Sequence, residues 1–203
     1  CIGCGLCVVA CKEENGVTED AAFARTWIER PLVAVDGRVF IDSPDGGYHG
    51  FPAEPASAEA RNASIVDAFF EPRLCMQCAE SPCTEVCPVG ATYHTAEGVV
   101  LVDPERCIGC GYCVVSCPYG ARYLTPAGDR SPAGVAGVAD KCTWCYHRIT
   151  AGKVPACVEV CPTGARAFGD RKDPDSPIHQ VLAGVATSVL HPEFGTKPVV
   201  LYV

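Results

Sequence analysis

The chain alternates apolar and polar residues most clearly in "TWIERPLVAVDGRVFIDSPDGG", residues 26 to 47, where Val33, Val35, Val39 and Ile41 flank Asp36-Gly37. A period of two on either side of an Asp-Gly pair predicts a β-hairpin. The same period returns in "ATYHTAEGVVLVDPERC", residues 91 to 107, with Val99 and Leu101 alternating against Val100 and Val102 before the Asp-Pro break. Gly98 separates the two halves, so a second hairpin is expected there. Helical signals are shorter, and "CKEENG" from Cys11 reads as a helix ending near Gly16. Residues 44 to 60, "PDGGYHGFPAEPASAEA", follow neither period and read as irregular loop. The longest apolar candidate, "VLAGVATSVL" at 181 to 190, is interrupted by Gly, Thr and Ser and falls short of the ~18 residues of a membrane span.

Composition changes this picture in one respect. Of 203 residues, 48% are apolar, enough for a core, but sixteen are cysteine. They fall into four quartets with none left over: Cys1, Cys4, Cys7, Cys11; Cys75, Cys78, Cys83, Cys87; Cys107, Cys110, Cys113, Cys117; and Cys142, Cys145, Cys157, Cys161. The formal charge of −8 and the lack of any Lys/Arg-rich run exclude a nucleic-acid surface.

Disulfides, structural zinc and iron-sulfur clusters could each use these thiols. Disulfide-dense domains are short and seldom repeat C-x2-C at such minimal gaps. Zinc ribbons join two C-x2-C knuckles through a longer linker. The first and third quartets instead have the spacing C-x2-C-x2-C-x3-C, and the third adds Pro118, which completes the bacterial ferredoxin signature for cubane 4Fe-4S ligation. In the second and fourth quartets the gap before the third cysteine grows to four and eleven residues, which a loop can absorb. Three quartets continue as C-x3-C-P-x-G-A, with Pro88, Pro118 and Pro162 and then Gly90, Gly120 and Gly164. Proline fixes φ after the last ligand and glycine suits the tight exit.

The signature carries a pairing rule: the first three cysteines hold one cluster, and the fourth reaches across to the cluster of a second motif. Motifs two and three have the shortest separation, nineteen residues from Cys87 to Cys107, so they are expected to pair. Motifs one and four then pair across the chain. The expected sets are Cys1, Cys4, Cys7 with Cys161 for cluster 1 and Cys142, Cys145, Cys157 with Cys11 for cluster 2. Cluster 3 takes Cys75, Cys78, Cys83 with Cys117, and cluster 4 takes Cys107, Cys110, Cys113 with Cys87. Iron through these sixteen thiolates accounts for the metal, as four [4Fe-4S] clusters. Each oxidised cubane with four thiolates carries about −2, so the loaded chain is strongly anionic.

Other residues add little chemistry. Trp144, inside the fourth C-x2-C, is expected to pack against a cluster rather than ligate it. Arg106 and Lys141, each one residue before a quartet, either offset cluster charge or lie solvated on the surface. His49, His94, His147, His179 and His191 have no ligand spacing, and no catalytic residues are expected because no nucleophile, phosphate loop or paired acid/base arrangement occurs.

These quartets, with "DKCTWCYHRITAGKVPACVEVCPTGAR", "GDRKDPDSP" and the ending "HPEFGTKPVVLYV", resemble the four-cluster electron-transfer subunits of the molybdenum and tungsten oxidoreductases related to dimethyl sulfoxide reductase. The likeness is to the iron-sulfur subunits of polysulfide, thiosulfate and tetrathionate reductases, and it extends over most of the chain. It implies an α+β fold of two ferredoxin-like modules with two [4Fe-4S] clusters each, short helices and β-hairpins, and an inserted hairpin and loop. The boundaries expected are 72–140 for motifs two and three, 1–11 with 141–170 for motifs one and four, 12–71 for the insertion, and 171–203 for a C-terminal partner-contacting segment. The resemblance further implies a bis-pterin molybdenum or tungsten catalytic subunit and an integral-membrane, quinone-reactive anchor. Such complexes lie on the cytoplasmic membrane, many on its outer face and some inside. A free-standing polyferredoxin and a zinc-stapled interaction module are the alternatives. The chain starts inside a motif without Met, so a preceding segment is expected.

Overall fold

The structure, a computed structural model, describes residues 1–126 and 136–203. Residues 127–135, within the expected 72–140 module, lie outside the described residues. Helix α1 (Leu6–Asn15) carries the last two cysteines of motif one and stops at Gly16. That glycine is left-handed and its N–H bonds the Lys12 carbonyl, the ending predicted from "CKEENG".

Strand β1 (Thr26–Ala34) turns into β2 (Val39–Asp42) with Val33 opposite Val39, so the first predicted hairpin is present. Two strands the alternation does not predict complete its sheet. β3 (Ile65–Ala68) and β4 (Glu71–Leu74) both run antiparallel to β1, with Leu32 opposite Ala68 and Thr26 opposite Leu74. Three of the four strands lie within the insertion, and β4 leads out of it. It buries Ile28, Leu32 and Ala34, while Val35, Val39 and Ile41 are 56–72% exposed. Residues 31 to 35 are apolar on both faces of the strand, so alternation alone does not select the inward one; packing of Ile28 against Cys7 and Val8 does. Between the strands, residues 44 to 60 are mostly irregular, as predicted, up to the short α2 (Ala58–Arg61), capped by the Ser57 hydroxyl.

β4 ends at Leu74 and so delivers Cys75 directly from the sheet. The C-x3-C segments form single helical turns: α3 (Pro82–Glu85), α4 (Tyr112–Val115) and, after the one-turn α5 (Tyr146–Ile149), α6 (Ala156–Glu159). The second predicted hairpin is β5 (Thr92–His94) with β6 (Val100–Val102), and β7 (Tyr123–Leu124) pairs with β8 (Ala139–Asp140). A short α7 (Ile178–Leu182) precedes the C-terminal strap. No helix among the described residues is long and apolar enough to cross a membrane.

The hydrophobic core is divided into three small clusters, each built around cysteine. Cys7 and Cys157 share one with Val8 and Ile28, and α1 packs on α6 beside it. Cys83 and Cys113 share another with Val100 and Ala139, and α3 packs on α4. Cys75 and Cys142 meet in the third, flanked by Trp27, Leu74, Cys117, Tyr119 and Trp144. Motif one is thus packed with motif four and motif two with motif three, while the third cluster joins the two halves.

A buried polar chain ties the same halves together. Arg25 donates to Asp140 at 2.8 Å and to the Asn15 side-chain oxygen at 2.8 Å, and the Tyr123 hydroxyl donates to Asp140 at 2.6 Å. Both charged side chains are under 10% exposed. Removing one member of a buried pair leaves the other charge uncompensated, which costs about 3–5 kcal/mol. Arg25→Met is therefore expected to lower the unfolding free energy of the loaded protein by that order. Anaerobic denaturant titration measures it, and an unchanged midpoint would contradict the assignment.

Candidate metal centres

All four C-x2-C loops share one backbone feature. The residue before the second cysteine has positive φ in each: Gly3 at 68°, Gln77 at 48°, Gly109 at 69° and Trp144 at 54°. At Gly109 a side chain is excluded outright, since a Cβ would lie 2.3 Å from the Gly137 carbonyl oxygen. Motifs two and four place bulky residues there at a backbone cost of about 1 kcal/mol each. Their side chains make contacts glycine could not. Gln77, fully buried, donates to the Cys142 carbonyl and accepts from Val100 N–H, both at 2.8 Å, so it spans from motif two to motif four. Trp144 sits against Cys75 and Cys142 and meets Phe168 edge-on at 5.4 Å.

The predicted ligands gather as follows. Cys1, Cys4, Cys7 and Cys161 line one narrow crevice with Pro162 and Arg166. Cys11, Cys142, Cys145 and Cys157 line a cavity of about 470 Å³ together with residues 199–203, and Cys1 lines it too and so borders both spaces. Asn15 Nδ2 lies 3.6 Å from Cys11 Sγ and 3.7 Å from Cys145 Sγ, donating toward both. The charges of Cys75, Cys83 and Cys117 all act on the Cys78 thiol, and Cys117 packs beside Cys75. Cys107 and Cys113 lie in the second core, Cys110 is exposed, and Cys87 is half-buried. Among the described residues no three such side chains close on a single point. A cubane asks for no such convergence, since each of its irons takes one thiolate.

Burial pushes the buried thiols up: Cys142 to about 12, where Cys157 and Cys75 add to the effect, and Cys78 to about 11. Cys11, Cys83 and Cys157 move in the same direction, with burial again the largest cause. Cys87 and Cys161 move the other way. Burial raises them, but backbone N–H groups outweigh it: Thr92, Val89, Ala91 and Gly90 around Cys87, and Arg166, Thr163 and Ala165, with the Thr163 hydroxyl, around Cys161. The Ala91 N–H is 3.1 Å from Cys87 Sγ. Donors aimed at sulfur are what the C-P-x-G-A turn provides, and they favour the thiolate.

The C-terminal strap also reaches the site, which sequence reasoning missed. Ala79 N–H bonds the Lys197 carbonyl at 2.9 Å, Glu80 N–H bonds Thr196 at 3.1 Å, and Val199 N–H bonds Met76 at 3.0 Å. Residues 196–199 therefore lie along the motif-two loop, where the buried Thr196 hydroxyl hydrogen-bonds Cys78 and sits 2.6 Å from the Tyr119 hydroxyl. Lys141 is fully buried, not solvated, with Nζ donating to the carbonyls of Val100 and Cys142. Arg106 is exposed and donates to the Val89 carbonyl. The histidines pair elsewhere: His94 with Ser81, His147 with Glu14, His179 with the Asp173 carbonyl and His191 with Glu193, while His49 lies edge-on to Tyr48.

The donor set fits iron-sulfur clusters. Sulfur dominates each site and backbone N–H groups face it. The guanidinium of Arg122 faces Cys83 and Cys113, and among the described residues its buried Nη2 has no nitrogen or oxygen acceptor. Such an orphaned donor is costly unless a further acceptor occupies the site, and inorganic sulfide is one. Small α+β units with cysteine quartets of this kind define iron-sulfur proteins of the ferredoxin-like class.

Comparison with known proteins agrees and goes further. Two family models, each described as a 4Fe-4S dicluster domain, match residues 1–91 and 66–171. These windows are contiguous in sequence, whereas the packing above groups motif one with motif four. The chain is 42% identical to the B component of tetrathionate reductase from Salmonella typhimurium, over all of this chain and 68% of that protein. It is 36% identical to the B component of polysulfide reductase from Wolinella succinogenes, over 98% of this chain and 86% of that one. With the B component of sulfite dehydrogenase from Allochromatium vinosum the identity is 38%, over 98% and 76%. The chain belongs to the iron-sulfur subunits of the dimethyl sulfoxide reductase family of molybdenum and tungsten oxidoreductases. It is an electron-transfer subunit, not a catalytic one.

Proposed function

We propose that the chain holds four [4Fe-4S] clusters through the four mixed ligand sets given above. They form a wire that passes single electrons between a quinone-linked membrane subunit and a molybdenum or tungsten catalytic subunit. The observation that carries this reading is the grouping of the thiols: motif one with four, motif two with three, and Cys75 against Cys142 between them. That order favours a line from cluster 1 through clusters 2 and 3 to cluster 4. Its ends are the sites with exposed ligands, Cys1 and Cys4 at one and Cys110 at the other. Each end is bordered by exposed apolar side chains, Ile2 and Leu6 beside the first, Ile108, Tyr112 and Val115 beside the second. Apolar contact next to a terminal ligand suits docking of a redox partner, which excludes water from the shortest transfer path.

The modules proposed are 72–140 and 1–11 with 141–170, joined by the 12–71 insertion and closed by 171–203, whose outer surface faces a partner. Membrane association then comes through the anchor, on the outer face of the cytoplasmic membrane.

Metal analysis of protein isolated through a tag on this chain tests the reading. About sixteen iron and sixteen labile sulfide per chain are expected, with molybdenum or tungsten in a co-purifying larger subunit. Full iron in a stable lone monomer would favour the free-standing polyferredoxin. Zinc without iron would overturn the proposal.

A further inference from the structure

Two buried cations and one half-buried one stand among the cysteines with no carboxylate partner among the described residues. Arg122 is 4% exposed and Lys141 fully buried. Arg166 is half-buried, held by its Nη2 bond to the Thr26 hydroxyl at 2.7 Å, and Nη1 lies 4.0 Å from Cys157 Sγ. None of the three forms an ion pair with Asp or Glu among the described residues, although Arg25, Arg30, Arg73 and Arg148 all do. A buried charge without a counter-charge is costly, and among the described residues the charges that favour the charged form of these three come from cysteine sulfur.

Their positions follow a rule. Arg166 lines both the crevice of Cys1, Cys4, Cys7 and Cys161 and the cavity of Cys11, Cys142, Cys145 and Cys157, so it stands in the wall between motif-one and motif-four sites. Arg122 stands between motif two and motif three: Cys83, Cys113 and Cys75 act on it, Nη1 bonds the Thr92 hydroxyl at 3.2 Å, and Nη2 is the orphan described above. Lys141 stands between motif two and motif four, bonded to the Cys142 carbonyl and to Val100, with Cys75, Cys142 and Cys83 as its sulfur neighbours. The two arginines occupy one repeat position, the residue after C-P-x-G-A.

From this we infer that Arg166, Lys141 and Arg122 are positioning cations, one at each junction between neighbouring clusters of the wire, and that each raises the potentials of the two clusters it separates. The inference rests on the four-cluster reading. Each cubane is anionic, so an electron on one disfavours an electron on the next; inside the protein this repulsion is weakly screened. A fixed cation between the two lowers the energy of the reduced state of both. Arginine keeps its charge in any protein setting. Burial and the Arg122 charge push the Lys141 ammonium toward neutrality, while the sulfur charges of Cys75, Cys142 and Cys83 favour it, and its Nζ donates to two carbonyls.

Redox titration of the intact complex, followed by EPR, tests this. Signals are first assigned with single Cys→Ser variants among the first three cysteines of each motif, which fixes the motif of each signal whether or not the fourth ligands cross between motifs. Arg122→Gln is then expected to lower the motif-two and motif-three signals and spare the others. Arg166→Gln lowers those of motifs one and four, and Lys141→Gln those of motifs two and four. The expected size is a tenfold or larger change in the oxidised-to-reduced ratio at fixed potential, about 59 mV for a one-electron couple. A shift in one cluster only, or an equal shift in all four, overturns the inference. The charge-preserving Arg122→Lys and Arg166→Lys should keep wild-type potentials; loss in these equal to the Gln variants would make the role packing and overturn it. Should a Gln variant fail to load iron, the Lys variant decides by the same criterion. Failure of the ligand pairing would appear separately, as Cys→Ala of a fourth cysteine removing the signal of its own motif.

Discussion

Replacing Cys117 by alanine is expected to remove the cluster of motif two, although Cys117 closes motif three. The variant should lose about four of sixteen iron atoms and the EPR signal assigned to Cys75, Cys78 and Cys83, and keep the signal of Cys107, Cys110 and Cys113. The reason is placement. Cys117 packs beside Cys75 and Cys142 in the junction core, and its charge acts on both Cys78 and Cys83. Cys117 follows the helical turn α4, two residues beyond its end. Cys11→Ala should behave alike at motif four, because Cys11 shares the Asn15 amide with Cys145 and feels Cys142, Cys157 and Cys145. Loss instead of the motif-three signal in Cys117→Ala would show that each motif keeps its own fourth ligand.

Removal of iron by chelation under reducing, anaerobic conditions is expected to unfold the chain. Each of the three cores is only a few side chains, and cysteines are among the buried members of all of them. Without clusters those sites become cavities lined by thiols and by three unbalanced cations, the reverse of close packing. Structural metal sites can contribute about 10–16 kcal/mol in small domains, while a whole domain is stable by about 5–15 kcal/mol. The metal therefore decides the balance. Near-UV circular dichroism and protease resistance should fall together as iron is withdrawn. A cooperative thermal transition retained in iron-free protein would count against this.

The motif chemistry was legible because ligand spacing is a local property of the chain. Cluster type followed from C-x2-C-x2-C-x3-C-P, and the family from the same residues. Both hairpins and the end of α1 at Gly16 were legible for a related reason: turn chemistry and capping act within a few residues. Strands β3 and β4 were not, because "IVDA" and "EPRL" carry no alternation of their own and become strands by bonding to β1.

Burial was decided only in three dimensions. Val35, Val39 and Ile41 look like an inward face and are exposed, since β1 is apolar on both sides and its neighbours choose. Lys141 reads in sequence as a charge beside a ligand; the Val100 carbonyl, forty-one positions away, makes it a buried cation. Thr196 reaches Cys78 because the strap follows the motif-two loop. The sequence by itself determined the cysteine quartets and the 4Fe-4S family they belong to, because thiol spacing sets what a single loop can hold. Tertiary structure alone decided which charges and donors surround each site, because those come from segments far apart in the chain, brought together by packing.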